Sequence, residues 1–344
     1  MSKQIKQIII GSRESELALI QSNWVREQLI TKLLELKKSK PVEYAALNLS
    51  DDFDIKIVKM STKGDQVLDV SLSKIGDKGL FTQELEDAMR DGRIDCAVHS
   101  MKDLPTTFAA GFEIVTTTSR EDVRDVLVLS KQAIEAGAKS ISDVQVIATS
   151  SLRRIAQLQK LYPEKRFVDI RGNVNTRLAK LDGEYTGPNQ YAAEDQPQAM
   201  VLAAAGIHRL RDCGSPETRA RFADRISEYL DPTEILPAIG QGALAIECYE
   251  PDERLRAIFA LLNSDQDEFM IKAERAFLRD LDGGCQVPIG IYAWMDGERL
   301  RLKGFKSEPD GSDYREAECS GDLLNAEILG KNLANKILAL QAVA

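Results

Sequence analysis

Residues Val144–Pro163 read VQVIATSSLRRIAQLQKLYP: an apolar strand from Val144 to Ala148, a small polar turn at Thr149-Ser150-Ser151, and then a helix. The same order recurs twice. In QIIIGSRESELALI (Gln7–Ile20) the strand Ile8 to Ile10 runs into a helix carrying Leu17, Ile20 and Trp24, and FVDIRGNVNTRLAKL (Phe167–Leu181) follows the same plan. A strand, a turn and a helix in repetition are the grammar of an α/β fold with mainly parallel sheets.

The cations fall at one place in this grammar. In the opening stretch the expected helix buries Leu152, Ile155 and Leu158, which puts Arg153 and Arg154 in its first turn. A helix N-terminus is already positive, so each cation there costs about some tenths of a kcal/mol. An anionic ligand reverses that sign, because free backbone N–H groups, the hydroxyls of Thr149 and Ser151 and two guanidinium forks would together hold a carboxylate or phosphate. Arg13 follows the strand Ile8 to Ile10, Arg171 follows Phe167 to Ile170, Arg177 sits early in the next helix, and Lys102 follows Ile94 to Val98. The carboxyl ends of strands line the ligand crevice of an open α/β sheet, so these cations point to one site for a polyanion. Beside Lys102 stands Asp103, either a turn residue before Pro105 or a carboxylate kept ionised among cations.

Composition narrows the class. The 344 residues, 43% of them hydrophobic, suffice for two or three domains with proper cores. Lys and Arg number 45 against 54 Asp and Glu, a net charge of −9 that argues against a broad grip on nucleic acid or on an anionic membrane. The five cysteines are scattered and form no C-x-x-C pair, so no disulfide framework is expected and a reducing compartment fits. The apolar run near the N-terminus is too short for a signal peptide, and AMVLAAAGI (Ala199–Ile207) is too short to span a membrane. The expected location is the cytoplasm, or a plastid stroma after removal of a transit peptide. His99 and His208 are the two histidines, and strand alternation sends Cys96 and His99 to opposite faces, so no metal site is expected.

Other stretches organise the chain. Thr116–Ser130 and the Pro- and Gly-marked Leu230–Cys248 are candidate crossings between domains. Within the latter, GQGALA at Gly240 imitates a dinucleotide loop, but ALAIEC after it alternates as a strand instead of opening a helix. Leu36–Asp52 and Gly183–Gln198 read as solvated surface insertions, and Leu323–Leu340 spaces Leu324, Ile328, Leu333 and Ile337 as an amphipathic helix over a small sheet. In LDGGCQVPIG (Leu281–Gly290), Gly283 ends a helix running from Asp265, while Cys285 alternates with Val287, Ile289 and Ile291. Cys285 is there either an ordinary buried thiol or one placed to hold something.

The segments GSRESELAL, KGLFTQELE, AVHSMKDLP, TSSLRR, RGNVNTRL, LPAIGQGALAIEC and GGCQVPIG stand in that order between Gly11 and Gly290. Together they resemble the porphobilinogen deaminase, or hydroxymethylbilane synthase, family. The resemblance implies three α/β domains: residues 1–118 with 233–250, residues 119–232, and residues 251–344. The first two would be lobes like those of periplasmic binding proteins, with mainly parallel sheets. The third, smaller and built on a three-stranded sheet, would carry the cofactor cysteine.

The resemblance also implies the reaction, in which four porphobilinogen molecules are deaminated and joined head to tail into hydroxymethylbilane. The cofactor implied is dipyrromethane, held by a thioether to Cys285. Lys102, Ser15, Thr149, Ser151, Arg153, Arg154 and Arg171 match cofactor-binding positions, and Arg13, Arg177, Gln21, Phe81 and Lys78 match substrate-binding ones. Lys78 and Phe81 fall in a loop expected to act as a lid, and the two insertions depart from compact family members. Asp103 matches the catalytic aspartate, which would stabilise the cationic azafulvene left by loss of ammonia and the pyrrole N–H. A monomer acting on porphobilinogen, with neither nucleic acid nor membrane as partner, is expected. Two rivals share parts of the pattern: a two-lobed carboxylate-binding protein, which has no need of a loaded Cys285, and a nicotinamide oxidoreductase built on Gly240 and Gly242.

Overall fold

The computed structural model describes residues 4–62, 82–188, 191–281 and 287–340. In chain order the strands are β1 (Ile5–Arg13), β2 (Leu49–Met60), β3 (Cys96–Ser100), β4 (Phe112–Thr117), β5 (Asp125–Leu129), β6 (Val146–Ala148), β7 (Arg166–Val168), β8 (Ala199–Ala203), β9 (Glu228–Tyr229), β10 (Leu244–Tyr249), β11 (Ile289–Asp296), β12 (Arg299–Lys306) and β13 (Arg315–Gly321). The helices are α1 (Glu16–Ser39), α2 (Pro41–Ala46), α3 (Gln83–Arg90), α4 (Lys131–Glu135), α5 (Leu152–Leu161), α6 (Val174–Leu181), α7 (Ala204–Cys213), α8 (Pro216–Phe222), α9 (Glu253–Ala260), α10 (Asp265–Asp280) and α11 (Ala326–Ala339). Two compact units result, one of residues 1–120 with 243–268 and one of residues 121–242 with 269–344.

The first unit holds a five-stranded sheet in the order β2-β1-β3-β10-β4. Strand β1 is parallel to β2 and β3, and β10 runs antiparallel to both of its neighbours. Ile8, Ile10, Val98 and Ile246 are buried in one cluster with Val25, Leu29 and Leu33 of α1. Leu36–Asp52 is a correction to the sequence reading: it is no solvated loop but the end of α1, the whole of α2 and the start of β2. Pro41 opens α2 at its first position, where a missing N–H costs nothing, and Leu36, Tyr44, Leu47 and Leu49 pack onto the core.

The second unit holds two sheets. One has the order β7-β6-β8-β5-β9, with β6 parallel to β7 and β8 and with β5 antiparallel to β8 and β9. The other is the antiparallel sheet β11-β12-β13, covered by α10 and α11. Its strand β11 begins at Ile289, with Ile289, Ile291 and Ala293 buried. The outer edge of β11 is occupied: Ile291 donates its N–H to Pro237 O at 3.1 Å, and Ala293 donates to Glu274 Oε1 at 3.1 Å.

The C-terminal helix is present, but the face it buries differs in part from the expected stripe. Leu333 and Ile337 are buried as expected, whereas Leu324 and Ile328 are exposed, and Gly330 and Ala334 complete the face that α11 lays on the core. The Asp322 side chain caps a 3-10 turn at Leu323–Asn325, which offsets the start of the α-helix. Gly330 is obligatory at the crossing, since a Cβ there would lie 2.1 Å from the Ala273 carbonyl oxygen of α10.

Candidate active site

In the second unit the ends of β6 and β7 are stitched together by short-range chemistry. Thr149 donates its N–H to Val168 O at 2.9 Å, while Ser150 Oγ donates to Ile170 O at 2.7 Å and accepts the Ile170 N–H at 3.1 Å. Ser151 caps α5 by accepting the Arg154 N–H, and its own N–H reaches Thr149 Oγ1 at 3.3 Å. On the neighbouring loop Arg171 pairs with Asp169 at 2.6 Å. Arg177, in the first turn and a half of α6, donates Nε to Gly172 O at 2.8 Å. Gly172 has a φ of +111° and faces Thr176, so a side chain is excluded there twice over. Thr149, Ser151, Arg153, Arg154, Arg171 and Arg177 thus stand at two adjacent strand ends, where an α/β sheet presents its ligand site.

The two arginines of α5 are not surface cations. Arg153, Arg154 and Gln157 are buried, whereas Leu152 and Ile155, expected on the buried face, are only half-buried. The reason is Asp125, fully buried at the start of β5: Arg153 Nη2 donates to its Oδ2 and Arg154 Nη2 to its Oδ1, both at 2.8 Å. The Nη1 groups go to the carbonyls of Leu236 at 2.6 Å and Val201 at 2.8 Å, and Gln241 Nε2 adds a third donor to Asp125 at 2.9 Å. Burial by itself would raise the pKa of Asp125, but the two guanidiniums override it and hold the carboxyl well below the usual carboxylate range. Burial lowers the pKa of Arg153, the Asp125 charge opposes that, and the like charge of Arg154 adds to it. Two cations share one anion, and Arg154 Nε finds no acceptor among the described residues.

The turn after these elements explains the glycine pair. Gly240 and Gly242 have φ of +68° and +97°, and Gly240 donates its N–H to the buried carboxylate of Glu274 at 2.7 Å. The chain then enters strand β10. GQG is therefore a turn whose Gly240 and Gln241 N–H groups are taken by Glu274 and by Ala238 O, which keeps both from the role a dinucleotide loop needs.

In the first unit β1 delivers Arg13 to its end, half-buried, and Ser15 caps α1 by accepting the Ala18 N–H at 3.4 Å. Gln21 is buried one turn further on and donates Nε2 to Ser100 Oγ at 3.0 Å, tying α1 to the end of β3. The chain then makes a 3-10 turn, Met101–Asp103. Met101 and Leu104 are buried, and Met101 donates its N–H to Ala243 O at 3.0 Å, so Lys102 and Asp103 are held out to solvent between two apolar anchors. Behind them His99 Nε2 lies 3.0 Å from Glu247 Oε2 on β10, both buried.

Sequence reasoning missed Asp125, Glu247 and Glu274. Glu247 interrupts the apolar run ALAIEC and Asp125 opens the apolar run DVLVL, which was the available signal, whereas Glu274 stands among Lys272 and Arg275 in IKAERAFL and carries none. Cys285, Lys78 and Phe81 lie outside the described residues.

A family model described as "Porphobilinogen deaminase, dipyromethane cofactor binding domain" matches residues 8–257, and the C-terminal domain model of the same family matches residues 269–339. The chain belongs to the porphobilinogen deaminase family. Porphobilinogen deaminase of Gloeobacter violaceus is 44% identical over 339 residues, covering 98% of this chain and 92% of that one. The porphobilinogen deaminases of a Nostoc species and of Synechococcus elongatus are each 41% identical, over 97% and 98% of this chain and 92% and 94% of theirs. Among solved structures, the BvgS VFT2 domain of Bordetella pertussis aligns with a TM-score of 0.36 at 15% identity, over 79% of this chain and 92% of that one. No helix among the described residues is long and apolar enough to cross a membrane.

Proposed function

We infer that this chain, like the family it belongs to, polymerises porphobilinogen into hydroxymethylbilane with release of ammonia, on a covalent dipyrromethane cofactor. The observation that supports the site most is the Arg153–Asp125–Arg154 cluster, in which two buried guanidiniums share one carboxylate beside a second cationic loop. A bound pyrrole pair brings acetate and propionate groups. Their carboxylates fit an excess of buried positive charge, an unpartnered Arg154 N–H and the hydroxyl-bearing turn Thr149–Ser151.

Cys285 would hold the cofactor, which supplies the chain end on which growth starts. Ser15, Lys102, Thr149, Ser151, Arg153, Arg154 and Arg171 would hold its carboxylates, with Arg13, Gln21, Lys78, Phe81 and Arg177 on the substrate side. Asp103, an exposed carboxylate fixed by buried neighbours, would stabilise the positive charge that develops as ammonia departs and hold the pyrrole N–H. The domain boundaries implied by the resemblance are 1–118 with 233–250, 119–232 and 251–344. The reading is completed by a cytoplasmic monomer or, in a plastid-bearing source, a stromal one.

Intact mass tests the cofactor directly. The purified parent is expected to exceed its sequence mass by one dipyrromethane, and Cys285→Ala to lose that increment. Freshly prepared, active protein at the bare sequence mass would sink the reading.

A further inference from the structure

We propose that Asp125 is a positioning residue for cofactor capture, fixing the guanidiniums of Arg153 and Arg154 so that their remaining N–H groups meet a ligand carboxylate. It rests on the assignment of those two arginines to the cofactor given above.

A long arginine side chain ordinarily has to be ordered by its ligand, at the expense of affinity. Here the ordering is done in advance. Each guanidinium is held at both Nη atoms, one on Asp125 and the other on the backbone carbonyl of Leu236 or Val201, so the plane of each fork is set before any ligand arrives. Asp125 cannot turn to favour one of them. Its Oδ1 also accepts Gln241 Nε2, which is shared with Val123 O at 2.7 Å, and the backbone carbonyl of Asp125 accepts the Leu230 N–H at 2.9 Å.

Charge makes the same point. Without Asp125, two like charges in a buried turn would repel each other, and a ligand would have to hold them together by itself. With it, the cluster keeps, among the described residues, one positive charge beyond its anion and an Arg154 Nε–H without an acceptor. The clamp is also tied to the chain leading to Cys285. Gln241 follows Gly240, whose N–H is bound by Glu274 on α10, the helix that ends just before the cysteine-bearing segment.

The test compares cofactor-free parent, Asp125→Asn and Arg154→Gln, each incubated with porphobilinogen over a range of concentrations. The fraction that gains the dipyrromethane mass is read by intact mass spectrometry, and thermal unfolding is followed on the same samples. The concentration giving half-loading is expected to rise about tenfold or more in both variants. A purely structural Asp125 would lower the melting temperature and leave half-loading of the folded fraction unchanged, which overturns the proposal. If Arg154→Gln also loads like the parent, the arginine assignment fails with it; if Arg154→Gln is impaired and Asp125→Asn is not, the positioning role alone fails.

Should Asp125→Asn not fold, Arg153→Gln is compared with and without Asp125→Asn, since the double variant loses one cation together with the anion. A further rise in half-loading concentration in the double variant is expected. Equal values for the two would overturn the proposal.

Discussion

The two five-stranded sheets share a plan and handle charge in opposite ways. In each, the fourth strand runs against its neighbours, β10 in the first unit and β5 in the second. In each, a strand runs through a serine-capped turn into a helix, at Ser15 and at Ser151. The first unit then places Lys102 and Asp103 in solvent, held by the buried Met101 and Leu104. The second draws Arg153 and Arg154 inside and supplies their counterion from β5. A charged side chain held out by apolar anchors can be altered without disturbing what holds it. A charge buried with its partner cannot, because removal of one leaves the other desolvated and unpaired.

The sharpest break in this contrast is Asp125→Ala, which leaves two guanidiniums buried around an empty acceptor and should cost about 3–5 kcal/mol in denaturant unfolding of the second unit. The loss should depend on pH in one direction. Asp125 has a depressed pKa when folded, so its contribution is complete above the unfolded value of about 3.9 and fades as pH falls through the lower, folded one. The stability gap between parent and Asp125→Ala should accordingly be flat from neutrality to about pH 5 and narrow only below about pH 4. A gap that changed between pH 5 and 7 would mean that another group carries it.

Asp103→Asn is the opposite case. Porphobilinogen consumption by fully loaded protein should fall on the order of a hundredfold, about 2.7 kcal/mol of transition-state stabilisation, with the melting temperature unmoved. Consumption within a few-fold of the parent would reduce Asp103 to a turn residue.

Glu247→Gln probes whether the first unit has its own buried charge dependence. Its carboxylate faces His99 from the neighbouring strand, and the amide should cost about 1–3 kcal/mol by leaving a buried group poorly matched. A loss as large as that of Asp125→Ala would erase the distinction between the units. The smallest expected effect is Ser15→Ala, about 0.5–1 kcal/mol for a cap whose hydrogen bond is long at 3.4 Å, measured by chemical unfolding of the first unit.

What could be read from the sequence was local. The strand–turn–helix order at β1, β6 and β7 follows from short apolar runs ending in small residues, and the position of Arg153 and Arg154 in a first turn follows from the residues beside them. Their partner did not, because Asp125 is 28 and 29 residues away and no periodicity joins a strand's first residue to a helix beyond an intervening helix and strand. Two cations in a helix's first turn need an anion, and the chain supplies one itself. The insertion at Leu36–Asp52 was misread for a related reason: its proline and mixed charge describe the start and exposed face of α2, while Leu36, Tyr44 and Leu47 are spaced too unevenly to announce the face turned to the core.

Glu274 and Pro237 have a consequence for the life of the chain outside its folded state. A three-stranded sheet is short of neighbours, and an unguarded outer strand offers its N–H and C=O groups to any other extended segment. Strand β11 has two of those N–H groups taken by partners that are not strands, the Pro237 carbonyl and the Glu274 side chain. Both partners come from segments that must already be folded into place, so a nascent or partly unfolded molecule would expose that strand. Self-association during refolding is then the expected failure of any variant that loosens the turn at Pro237–Gly240.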